Sequence, residues 1–229
     1  MDNLQKVYNK NKKDIGIVKM EVLRNITPNK DYLNLVRKFC DKNKLILIFD
    51  ECTSGFRATF GGLHLKYKVY PDILILGKAL GNGYAINAIL GKKNIMMSTE
   101  KTFISSTFWT ERIGPTAALK TLEVMEREKS WEQITQIGSN ISKRWLNLAN
   151  KYELSINTWG LPALSGYTFN SPNALSYKAL VTQEMLKKGY LATNSVYACT
   201  EHAQGVVDGY FSVLDPIFAT LKDCEEGRD

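Results

Sequence analysis

The chain has 229 residues, 44% hydrophobic and 23% charged, which excludes general disorder and places it among folded globular proteins. No apolar run approaches the roughly 20 residues of a membrane-spanning helix, and the opening MDNLQKVYNKNKKD has charge without the apolar core of a signal peptide; no membrane partner and a cytoplasmic location are expected. Thirty basic against 23 acidic residues give a net charge of +7, yet the lysines are scattered, with small clusters at Lys10, Lys12 and Lys13 and at Lys92 and Lys93. No nucleic-acid-binding signature accompanies them, so no nucleic-acid partner is expected.

Cys40, Cys52, Cys199 and Cys224 lie far apart without a CxxC, and His64 and His202 are the only histidines. That spacing serves neither a disulfide framework nor a zinc site, so no metal is expected.

Taken in chain order, residues 15–20 have the β-branched content of a strand, and 29–43 show helical spacing at Tyr32, Leu35, Val36 and Phe39. Residues 45–49 form a continuous apolar run, as in a strand covered on both faces, and end abruptly in Asp50-Glu51. Residues 71–76 repeat the design and end in Gly77-Lys78; 85–90 make a further strand closed by Gly91. Helices are predicted over 114–128, opened by Pro115, and over 131–152. Beyond that, short β-prone pieces with Gly160, Pro162, Gly166 and Pro172, two helices near 176–188 and 205–222, and a strand-like 190–199 read as a smaller α+β unit. The boundary is placed near Lys151, giving domains 1–151 and 152–229.

In an α/β sheet, reactive groups collect beyond the carboxyl ends of strands. Here two strands deliver Asp50 and Lys78 to such ends. A lysine amine can form a Schiff base with an aldehyde, and an aspartate can hold a pyridinium nitrogen protonated. Gly77, Gly81 and Gly83 would admit a flat cofactor. A phosphate-binding P-loop fails because Asp72 stands where its first glycine belongs and Ala79 follows Lys78; a dinucleotide loop fails at Ile86. Spacing alone equally fits a solvated lysine in a glycine-rich turn and an aspartate capping a strand.

The run Ile48-Phe49-Asp50-Glu51-Cys52-Thr53-Ser54-Gly55-Phe56-Arg57, followed by PDILILGKALGNG from Pro71 to Gly83, resembles the class III pyridoxal-phosphate aminotransferases, above all their glutamate-1-semialdehyde aminomutase-like branch. The segment from Ser106 through Thr110 to Pro115 is similar to that branch's threonine-containing segment before a proline-started helix. The resemblance spans about residues 15–221 and lacks the family's N-terminal half, with its glycine-serine phosphate cup, ring-stacking aromatic and early strands. It implies an α/β fold: a partial aspartate-aminotransferase-like (fold type I) large domain with a mixed, mostly parallel sheet, plus the small C-terminal α+β domain.

By the same resemblance, Lys78 is the lysine that takes pyridoxal 5'-phosphate as a Schiff base and Asp50 the partner of the pyridine nitrogen. Cys52 stands where the family usually has a valine on the ring face. Thr110 matches a phosphate-binding threonine that reaches the neighbouring subunit's cofactor, with Thr107 as substitute and an N-cap as the plainer role. Glu21 matches an acidic position near the active site. Phe108, Trp109 and Trp159 read as packing residues, and neither histidine receives a catalytic role. The resemblance implies transamination between an amine or amino acid and a keto or aldehyde acceptor, in a homodimer or with a complementing N-terminal half. The alternatives are aminomutase chemistry and a non-catalytic fragment that binds a complementary chain.

Overall fold

The computed structural model describes residues 1–229 apart from Lys30, Ser106, Trp109 and Asp229, and the chain divides into two compact units, Met1–Lys129 and Ser130–Asp229. The first unit runs α1 (Asp2–Lys10), β1 (Ile17–Met20), α2 (Tyr32–Asn43), β2 (Ile46–Glu51), the short α3 (His64–Tyr67) and β3 (Ile73–Leu76). A 3₁₀ turn over Lys78–Leu80 leads to β4 (Ala88–Gly91), the short α4 (Lys93–Met96) and α5 (Ile113–Glu128). The strands lie side by side in sequence order; β1, β2 and β3 are parallel and β4 runs back against β3. The connection after β3 carries only the 3₁₀ turn and none of the α-helix that usually makes a parallel crossover, in keeping with the reversal.

Strand periodicity divides the sheet into two unlike faces. Leu47, Phe49 and Glu51 of β2 are buried, whereas the alternate Ile46, Ile48 and Asp50 are half-buried. Register places Lys19 opposite Ile48, Ile48 opposite Ile73, Asp50 opposite Ile75, and Ile75 opposite Ile89. One face therefore carries isoleucines around Lys19 and Asp50. α2 packs on β2 and buries Leu33, Val36, Phe39 and Cys40. Tyr32 and Leu35 of the predicted stripe are instead exposed, because positions 33, 36 and 40 share one helical face and 32 and 35 do not. Tyr8 of α1 meets Phe39 edge-on at 5.3 Å between ring centroids. From α5, Ala118 joins Phe56, Leu76 and Leu80 in a second cluster.

The second unit comprises α6 (Ser130–Lys151), β5 (Ile156–Trp159), β6 (Leu164–Phe169), α7 (Ala174–Lys187), β7 (Ser195–Tyr197) and α8 (Gln204–Glu225). β6 pairs antiparallel with β5 on one side and β7 on the other. Trp145, Tyr167, Val181, Met185, Leu214 and Phe218 anchor one apolar core, and the Trp145 indole N–H donates to the Tyr210 hydroxyl at 2.9 Å. The units divide at the start of α6 rather than near Lys151, at its end, because α6 packs on β5, β6 and α8.

Candidate active site

β2 and β3 are parallel neighbours, so their carboxyl ends open on the same edge of the sheet. Asp50 occupies the penultimate position of β2, and Lys78 follows β3 by two residues. The turn that carries Lys78 is conformationally demanding. Lys78 itself sits at φ 46°, a left-handed conformation unusual for a residue with a side chain. Such backbone strain persists where surrounding structure enforces it, commonly at functional sites. Here the Lys78 carbonyl accepts from the N–H groups of Gly81 and Asn82, both at 3.1 Å. A Cβ on Gly77 would lie 2.1 Å from Asn87 Oδ1 and 3.2 Å from Cys52 Sγ, so glycine lets the segments converge. The Lys78 side chain is exposed, and its Nζ donates to Thr53 Oγ1 at 2.8 Å.

Asp50 is held from two sides. Its Oδ1 accepts the Cys52 backbone N–H at 3.2 Å, and its Oδ2 pairs with Lys19 Nζ at 3.0 Å. The Lys19 hydrogen bond above all, helped by the Cys52 N–H against partial burial, holds the Asp50 carboxyl below the usual carboxylate range. Cys52 is half-buried, with Sγ 4.0 Å from Asn87 Oδ1. Burial first, and the Asp50 charge second, push its thiol up, away from the thiolate. Glu21 lies one residue past β1, paired with Arg24 at 3.1 Å.

Beneath the edge lies a buried network. Glu51, fully buried, accepts from Ser54 Oγ at 3.0 Å, from the backbone N–H of His64 at 3.0 Å and from that of Leu63, and its Oε1 lies 2.7 Å from His64 Nδ1. One carboxylate thereby ties both ends of the loop that carries Cys52 and Thr53 to β2. His64, assigned no role from sequence, is part of this clamp.

The structure brings Lys78, Asp50 and Cys52 to one sheet edge, with Glu21 at the end of the adjacent strand. Thr110 sits exposed in the turn before α5 and shares no described hydrogen bond with Lys78 or Asp50. It does not cap that helix. Glu111 does, accepting from the backbone N–H groups of Ile113 and, at 3.1 Å, Gly114. Thr107 is likewise exposed, Phe108 is 73% exposed, Trp159 donates Nε1–H to Thr168 Oγ1 at 3.0 Å, and Trp109 lies outside the described residues. Among the described residues no group of three or more His, Cys, Asp or Glu could hold a metal ion, and no helix is long and apolar enough to cross a membrane.

Sequence reasoning overlooked Lys19, Thr53, Asn87 and the Glu51–His64 pair. For Glu51 a signal was present, because alternation after Leu47 and Phe49 puts it on the buried face. For Lys19 the signal was absent, since its neighbour depends on strand register.

The family model for class-III aminotransferases matches residues 24–197. The chain belongs to the class-III aminotransferase family. Among curated relatives, 3-aminobutyryl-CoA aminotransferase of Cloacimonas acidaminovorans (strain Evry) is 36% identical over 157 residues, covering 68% of this chain and 38% of that protein. Glutamate-1-semialdehyde 2,1-aminomutase of Methanocaldococcus jannaschii is 26% identical over 242 residues, covering 96% of this chain and 57% of that protein. The chain spans about half the length of the curated relatives it matches. Among solved structures, the PLP internal aldimine form of FumI from Sphingopyxis sp. MTA144 superposes with a TM-score of 0.90 at 20% identity, over 98% of this chain and 56% of that one. An S-selective transaminase from Arthrobacter sp. gives 0.80 at 21% identity, over 98% and 55%. The fold of this chain is therefore that of the fold type I transaminases.

Proposed function

We propose that this chain is the C-terminal portion of a pyridoxal-phosphate-dependent aminotransferase that moves an amino group between an amine or amino acid and a keto or aldehyde acceptor. The observation that carries this reading is the delivery of a strained, exposed lysine and a deprotonated aspartate to one edge of a mostly parallel sheet. That donor set fits the cofactor, with a primary amine for its aldehyde and a carboxylate for its ring nitrogen. Glycine at position 77 lets the turn that carries Lys78 close against Asn87 and Cys52.

Lys78 would hold the cofactor covalently, Asp50 would face the ring nitrogen, and Cys52 would pack against the ring. Thr110 would serve the phosphate in a neighbouring subunit of a homodimer, and Glu21 would orient side chains at the edge. When bound, the cofactor supplies an electron sink for the substrate carbon. Thr53 Oγ1 accepts from Lys78 Nζ and so fixes where the amine waits before it binds. With its amine free, Lys78 Nζ would take and return the substrate proton, a role for which the exposed turn gives it reach. Asp50 would face the ring as a carboxylate, its charge stabilised by Lys19 and the Cys52 N–H.

Intramolecular amino transfer is the second reading, supported by several aminomutases among the relatives, such as that of Methanococcus maripaludis (strain C6), 30% identical over 207 residues. In either case the active assembly includes the family's N-terminal portion, on the same polypeptide or as a complementing chain, and works in the cytoplasm. The test is incubation with pyridoxal phosphate, borohydride reduction and peptide mapping by mass spectrometry. Selective label on Lys78 is expected; label scattered over other lysines, or none, would refute the assignment. In the assembled enzyme, Lys78→Ala is expected to lower turnover by at least about a hundredfold while leaving the fold intact.

A further inference from the structure

We propose that Lys19 is a positioning residue that shares Asp50 with the cofactor's ring nitrogen and thereby loosens the hold of that carboxylate on the ring proton. The inference rests on the cofactor reading above and goes one residue further. Parallel pairing of β1 with β2 puts Lys19 and Asp50 on the same face of the sheet, where Lys19 Nζ reaches Oδ2 at 3.0 Å. The other oxygen carries the Cys52 N–H, and the Cys52 thiol also interacts with the carboxylate, which still keeps lone pairs for a further donor. From β3 the neighbour in register is the apolar Ile75. Among the described residues, the charged or titratable groups that act on this pair are Cys52, and Glu21 through Lys19, with Glu21 itself occupied by Arg24.

A carboxylate raises the proton affinity of a facing pyridine nitrogen by its uncompensated negative charge. Lys19 cancels part of that charge. The pair has little to offer as a stability element, because the Lys19 side chain is 57% exposed and exposed ion pairs contribute little. Its consequence lies in the electrostatics of the edge.

The test compares wild type, Lys19→Met and Lys19→Arg by absorbance titration with pyridoxal phosphate and by pH titration of the bound chromophore. Lys19→Met is expected to bind several-fold tighter and to move the spectral transition upward by about one pH unit. Lys19→Arg is expected to match wild type, and the melting temperature without cofactor is expected to be unchanged in both. In an Asp50→Asn background the Lys19→Met shift is expected to vanish. Coincident titrations of wild type and Lys19→Met would overturn the proposal, as would weaker binding by Lys19→Met, which would make Lys19 an attractor of the phosphate. Absence of Lys78 label in the wild type after borohydride reduction would instead sink the cofactor reading, and this inference with it.

Discussion

Glu51 shows how much one buried carboxylate can organise. Its oxygens accept from Ser54, His64 and two backbone N–H groups, so replacing one oxygen by an amide turns an acceptor into a donor facing donors. Glu51→Gln is expected to destabilise the chain by about 1–3 kcal/mol in urea unfolding, the cost of leaving a buried polar group unsatisfied. The second unit offers the reverse case. The Tyr167 hydroxyl is buried without a partner among the described residues, and burial pushes its pKa up. Tyr167→Phe should therefore be neutral or slightly stabilising, whereas Tyr210→Phe strands the Trp145 indole N–H and should cost about 1–3 kcal/mol. Equal losses in the two variants would show that Tyr167 has a partner in solution.

Between elements, Asp72 is the main electrostatic fastener of the first unit. It precedes β3, and its Oδ2 accepts the Leu47 N–H of β2 at 2.8 Å and Arg37 Nη1 of α2 at 2.9 Å, while Oδ1 pairs with Lys92 at 2.6 Å. Burial alone would raise its pKa, but the Leu47 N–H, Lys92 and Arg37 together outweigh burial and hold it below the usual carboxylate range. A depressed carboxyl stabilises the fold above its unfolded pKa and ceases to do so as pH falls through the folded value. The stability gap between wild type and Asp72→Asn is thus expected to be full at neutral pH and to close below about pH 4; a gap independent of pH would refute this. In the second unit, a Cβ on Gly138 of α6 would lie 1.8 Å from the Pro162 carbonyl oxygen. That neighbour is backbone and cannot swing aside, so Gly138→Ala should cost about 1–3 kcal/mol or more, read as a lower melting temperature. The elements themselves were legible, because β2 and β3 announce themselves as apolar runs ending in Asp50 and in Gly77-Lys78. The close approach at Gly138 was not, since a mid-helix glycine looks the same with or without a carbonyl against it.

At the scale of the whole molecule, the sequence carried the edge but not the surroundings of its residues. Asp50 and Lys78 could be placed together because strand ends follow from hydrophobic runs. Lys19 and Thr53 could not, because register and loop path are set by long-range packing that local pattern does not encode. The same packing leaves the two faces of the first sheet unequal. Leu47 is fully buried, whereas Ile89, on the isoleucine face, is 60% exposed and Ile17 52%. Mostly parallel sheets are ordinarily covered on both faces, and the chain spans about half of its relatives' length. Leu47→Ala is therefore expected to cost about 2–5 kcal/mol in this chain. Ile89→Lys should change its stability by no more than about 0.5 kcal/mol, as at an ordinary surface position. In an assembly that includes the family's N-terminal portion the ranking should change, because a lysine buried on that face lacks a partner for its charge. The measurement is the unfolding midpoint of each variant alone, followed by the yield of assembled enzyme. If Ile89→Lys is as costly as Leu47→Ala in the chain by itself, the isoleucine face is already covered; if it is harmless in both settings, that face is solvent surface in the complete enzyme as well.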